Sequence, residues 1–219
     1  MRLVTVKDIK DFDAAFGETG FKVGPRTGPN RRTKDEKEWY VVRRFLKEAI
    51  RAEIFEVPLS ISKGQPPEPD FLIEQKAGIT VLEITEATDE SDQREMTEIE
   101  LSDKAAVLLG EFGGRFRGGA SEPGYAWSSD IIAAIQRKKG KQIFLEGSST
   151  AHLVIYPNSN GSSLLFDFED ECRAFDMFRA AVDGHNGLAD VAKRCFVHIL
   201  GKETVFIDIL GTQRNFRRD

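Results

Sequence analysis

Two carboxylates, Asp70 and Glu83, stand thirteen positions apart in a stretch that reads as two strands and a turn: PDFLIEQ, then KAG, then ITVLEITEA. Residues two apart on a strand share a face, so Glu83 and Thr85 point together. A hairpin through Lys76 to Gly78 carries Asp70 across from the later half of the second strand. Two hard carboxylate oxygens would then converge on one cation. Magnesium takes few carboxylates and completes its shell with waters and phosphate oxygens, and a cation held this way polarises a phosphoryl group. The basic run Arg137, Lys138, Lys139 and Lys141 is a second chemical signal. Its cations suit either a helix C-terminus or phosphate contact. Plain alternatives stand beside each residue. Asp70 follows a proline where turn aspartates are common, and Thr85 is an ordinary β-former. Glu83 is flanked by Val81, Leu82, Ile84 and Ala87, where an unpaired carboxylate would be costly if buried.

The elements that must position these groups are legible to different degrees. Thr33 and Glu36 fit a capping box, and Trp39, Val42, Phe45, Leu46, Ala49 and Ile50 recur at helical spacing, which predicts a helix from Lys34 to about Ala52. IFEVPLS predicts a strand from Ile54, and Gln65 to Pro69 a proline-rich turn. After the hairpin, an acid-rich lead over 89–100 passes into a helical pattern at Ile99, Leu101, Ala105, Leu108 and Leu109, followed by a glycine-rich loop. Ser128 or Ser129 is placed to cap a helix through Ile131, Ile132, Ala134 and Ile135, ending in the basic run. AHLVIYP reads as a buried strand, EDECRAFDMFRAAVDG as a helix, and CFVHILG and ETVFIDIL as two closing strands around Gly201 and Lys202. The opening residues to about Phe21 and the loop GPRTGPNRRT carry no clear signal.

The order helix, strand, strand-turn-strand with acids, helix with a basic end, strand resembles the core of the PD-(D/E)XK nucleases. Pro69-Asp70 and Glu83-Ile84-Thr85 sit where that superfamily has its two motifs. The resemblance covers roughly Glu38 to Pro157. It implies an α/β fold with a restriction-endonuclease-like core, a mixed β-sheet flanked by helices. The whole chain would be a single domain, with its core over about 34–157 and a C-terminal extension of helix and strands over 163–210. It also implies Mg2+ or Mn2+ held by Asp70, Glu83 and the carbonyl of Ile84, with Glu38 of the first helix assisting and Glu48 an alternative on that helix. The sequence departs from the family at Thr85, where a lysine is usual. A hydroxyl cannot supply the positive charge that stabilises a phosphoryl transition state, so Lys138, Lys139 or Lys141 is the expected substitute. Thr85, Arg137 and Lys139 are candidate substrate contacts. The activity implied is metal-dependent hydrolysis of nucleic acid, DNA before RNA. A homodimer would suit cleavage of both strands. The rival implication is a nuclease-like module that binds nucleic acid or protein without catalysis.

Composition narrows the remaining classes. Thirty-one basic against 36 acidic residues give a net charge of -5, which argues against a uniformly basic nucleic-acid surface and requires the basic residues to be clustered. Cys172 and Cys195 lack CxxC spacing, and His152, His185 and His198 are isolated from ligand-spaced partners, so a zinc site is not expected. The first residues do not read as a signal peptide, and no apolar run of about 18 residues exists to cross a membrane. A reducing, cytoplasmic setting is the expectation. A small-molecule enzyme of other topology is the third reading, but the chain has no phosphate loop, GxSxG elbow or dinucleotide fingerprint.

Overall fold

The computed structural model describes residues 3–18, 33–88, 123–138, 150–157, 167–182, 188, 191, 193–202, 204–210 and 214–217. The expected helix around 99–109, the acid-rich lead, Lys139, Lys141 and His185 lie outside the described residues. The chain is α/β, with one mixed sheet flanked by helices.

The predicted first long helix is α2, Lys34–Arg51, which follows the short α1, Phe12–Phe16. Its capping box is complete: the Glu36 N–H donates to Thr33 Oγ1 at 3.1 Å, and the Thr33 N–H to Glu36 Oε2 at 2.6 Å. Trp39, Val42, Phe45, Leu46 and Ala49 form its buried stripe. The helix ends in a Schellman arrangement, with Glu53 N–H donating to Ile50 O and Ile54 N–H to Ala49 O, while Glu53 takes the left-handed φ of 60° that this ending requires. These bonds commit Ile54 to the helix terminus and send Phe55 into the core. The strand expected from Ile54 therefore begins five residues later, as β2, Leu59–Lys63.

The hairpin is as its alternation implies, with β3 at Phe71–Gln75 and β4 at Gly78–Ala87, paired antiparallel from Phe71↔Leu82 to Gln75↔Gly78. Gly78 turns the chain at a φ of 131°, a conformation open to glycine. The next described helix, α3, runs over Pro123–Lys138 and so starts ahead of the expected cap. Ser128 is inside it, donating to Gly124 O at 2.6 Å, the back-bond to the preceding turn that satisfies a serine hydroxyl within a helix. A proline at the first position needs no N–H partner, so the helix can open there.

β5, Thr150–Pro157, pairs parallel to β4, and α4, Phe168–Val182, precedes β6, Phe196–Leu200, which is parallel to β5. β7, Thr204–Ile207, and β8, Arg214–Arg217, return antiparallel. With the edge strand β1, Leu3–Val6, the sheet has eight strands among the described residues, in sequence order. Strand alternation divides the core. Phe71, Ile73, Leu82 and Val154 pack with α1 and α2 on one face, and Val81, Ala87, Leu153 and Ile155 with α3 and α4 on the other. No helix among the described residues is long and apolar enough to cross a membrane.

Two histidines with no ligand-spaced partner in the sequence meet in the α2-side core. His152 on β5 and His198 on β6 stack with ring centroids 5.1 Å apart and Nδ1 of the first 2.9 Å from Nε2 of the second. The Asp208 N–H donates to His198 Nδ1 at 3.2 Å, so neutral His198 carries its proton on Nε2 and donates it to His152 Nδ1. Burial holds His152 down at about 4 from 6.5, and burial followed by the neighbouring His152 charge holds His198 well below 6.5. The unfolded chain therefore takes up protons below 6.5 that the folded chain refuses, and the stability present above 6.5 is lost as the pH falls toward 4. His152 alone should contribute about 3 kcal/mol to that loss. Urea unfolding across this range should show a steep decline, and a shallower one for the His152→Gln, His198→Gln double variant.

Candidate active site

Asp70, Glu83, Thr85 and Lys138 come together at the α3 face of the sheet. The last hydrogen-bonded pair of the β3–β4 ladder at this end is Phe71↔Leu82. One step further, Asp70 stands opposite Glu83, with both side chains on the same face. Because β3 stops at Phe71, the backbone no longer serves the Ile84 N–H, and Asp70 Oδ2 accepts it at 2.8 Å instead. Asp70 Oδ1 makes no hydrogen bond among the described residues. The backbone of Asp70 is fixed as well, since the Gly64 N–H donates to Asp70 O at 3.0 Å and a Cβ on Gly64 would lie 2.0 Å from Pro69 O. Only glycine lets the chain close so tightly before the aspartate.

Glu83 is 1% exposed. Its Oε1 lies 2.7 Å from Lys138 Nζ, an ion pair that supplies the partner a buried carboxylate requires. Lys138 is the final residue of α3, one turn beyond Ala134, whose side chain is buried against the same face. Thr85 is buried beside Glu83, on the α3 face. Arg137 turns aside to donate to Glu86 O at 3.2 Å.

Burial raises the proton affinity of Asp70. The Ile84 N–H works against that rise, the charges of Glu83 and Glu38 add to it, and Lys138 offsets part of it. Glu83 on β4 and Glu38 on α2 thus both act on Asp70. Glu38 is buried on α2 but turned toward cations: Lys63 Nζ is 2.7 Å away and Lys34 Nζ 3.3 Å. Lys63 also bonds Asp35 and lies over the Phe71 ring. Burial pulls the Lys63 amine down, and the hydrogen bonds to Asp35 and Glu38 more than restore it, leaving it raised above 10.5. Motif spacing does not single out Lys63. Its signal is strand parity, since Leu59, Ile61 and Lys63 share one face and place an ammonium on an apolar side. Lys37 is likewise outside every motif, and approaches Glu86 Oε2 at 3.6 Å. Glu48 pairs with Arg51 at 3.0 Å.

Among the described residues, no three His, Cys, Asp or Glu side chains cluster as a metal site. Asp70 and Glu83 are a pair of carboxylates facing each other across β3 and β4. Two carboxylates in a field that disfavours a second negative charge fit magnesium, which needs only one or two such ligands. They do not fit a closed zinc site. Comparison with protein families, curated sequences and solved structures finds no match to the chain.

Proposed function

We propose that this chain is a divalent-metal-dependent nuclease, hydrolysing phosphodiester bonds in nucleic acid, with DNA the expected substrate. The observation that carries the reading is the contact of Lys138 Nζ with Glu83 Oε1 at 2.7 Å. It puts an ammonium group in the site whose usual lysine position is Thr85. Support also comes from the element order: helix α2, three antiparallel strands β2 to β4, helix α3, and β5 parallel to β4. That is the arrangement expected of a restriction-endonuclease-like core.

Asp70 and Glu83 would hold Mg2+ or Mn2+, with the Ile84 carbonyl as a further ligand. The cation would supply charge neutralisation at the phosphoryl group and a more acidic water. The chain's own groups do the rest. Asp70 is oriented by the Ile84 N–H, Glu83 is paired with Lys138 while no metal is bound, and Glu38 adds negative charge from α2 while remaining paired with Lys63. Lys138 is the cation best placed to meet charge developing on phosphate oxygens. Arg137 and Lys37 flank the end of β4 and suit phosphate contact outside the reacting group.

The deciding experiment offers single-stranded DNA, duplex DNA and RNA to the protein with Mg2+, Mn2+ or chelator. Cleavage that requires a divalent ion and favours DNA is the expected result. An inert protein with every metal, still able to bind nucleic acid or another protein, would replace this reading with that of a non-catalytic module.

A further inference from the structure

The ammonium of Lys138 and a divalent cation held by Asp70 and Glu83 would compete for the same carboxylate. Glu83 is 1% exposed and its Oε1 is taken by Lys138 at 2.7 Å, so a cation drawing on that oxygen meets a positive charge already there. Water screens such a meeting weakly, because the Lys138 side chain is itself only 19% exposed. Lys138 differs from a fixed counter-ion in one respect. It is the last residue of α3, at the basic end of the helix, and its ammonium rides on a flexible four-carbon stem. It can leave Glu83 without disturbing the strands that hold both carboxylates.

We propose that Lys138 is an exchangeable counter-ion of Glu83, released from the carboxylate when a divalent cation binds and thereby made available to a substrate phosphate. The inference rests on the metal-site reading above and adds regulation to it: cation binding and the Lys138–Glu83 contact oppose each other, reciprocally, as any two coupled equilibria must. Lys138 thus keeps the buried carboxylate neutralised before metal arrives, and the metal in turn frees the ammonium.

The test uses the full chain without nucleic acid and reads Mn2+ affinity by calorimetry. Lys138→Met should bind Mn2+ on the order of tenfold tighter than wild type, as expected when a repelling charge is removed from a partly buried site. Lys138→Arg should stay near the wild-type value. Equal or weaker binding by Lys138→Met, with wild type binding normally, overturns the inference and leaves the metal site standing. No Mn2+ binding by wild type or either variant removes the metal site and the inference together. If Lys138→Met does not fold, wild type alone decides through its lysine ammonium 15N resonances. The Lys138 signal, protected by the ion pair, should disappear as Mg2+ saturates the protein, and its persistence at saturation overturns the proposal.

Discussion

Combining Asp70→Asn with Glu83→Gln should bring Mn2+ binding below calorimetric detection and lower metal-dependent cleavage by on the order of a thousandfold or more, the equivalent of several kcal/mol of charge stabilisation. The amides are chosen because they keep the shape of the site. An amide oxygen at position 70 can still accept the Ile84 N–H, which Asp70 Oδ2 now accepts at 2.8 Å, and an amide oxygen at position 83 can still accept from Lys138. Alanine would be less informative. It would orphan the Ile84 N–H and leave the Lys138 ammonium without its buried partner, mixing a folding defect with a chemical one. Unfolding in urea should therefore separate the two pairs of variants, with the amide pair close to wild type. Unchanged Mn2+ affinity in the amide pair would remove the two carboxylates as ligands and the catalytic reading with them.

The parts of this site visible in the sequence are those governed by short-range rules. The capping box at Thr33 and Glu36 and the stripe from Trp39 to Ala49 fix α2 through contacts three and four residues apart. The hairpin is equally local. Its strand alternation places Glu83 and Thr85 on one face, and its two-residue turn at Lys76 and Ala77 sets the register that brings Asp70 opposite Glu83. Glu83 itself is conspicuous as a charge within an apolar strand, and the structure supplies the partly buried partner that such a charge demands.

What is not legible depends on competition between endings. IFEV has strand composition, yet Ile54 is used to close α2, and nothing in its neighbours shows that a glutamate will accept a left-handed φ to allow it. Ser128 has the residue type of a cap, but its hydroxyl is satisfied within α3, so type alone misplaces the start of the helix. β1 is a four-residue edge strand whose partner is more than fifty residues away in sequence, and its short alternation carries little signal. The choice among Lys138, Lys139 and Lys141 is a different matter. Ile131, Ala134 and Ile135 are buried on α3, and Lys138 follows them at seven, four and three positions. Helical spacing therefore puts its stem on the packed stripe and sends its ammonium to the sheet.

That placement leads to the second large effect. Lys138→Ala should lower the single-turnover cleavage rate at saturating metal and substrate by on the order of a hundredfold, since a positioned cation contributes several kcal/mol to charge developing on phosphate oxygens. Saturating metal is essential, because losing this ammonium should raise metal affinity while it lowers the rate. Two opposite signs from one substitution are difficult to obtain from a general loss of structure. Lys138→Arg, which retains charge but not the compact ammonium, should recover part of the rate. Arg137→Ala should behave otherwise. Its guanidinium bonds the Glu86 carbonyl and not the Asp70 or Glu83 carboxylate, so its removal should weaken nucleic-acid binding and flatten the salt dependence with little change in the saturated rate. Wild-type rates in Lys138→Ala, measured on a protein shown by its unfolding curve to be native, would remove this ammonium from the catalytic role proposed for it.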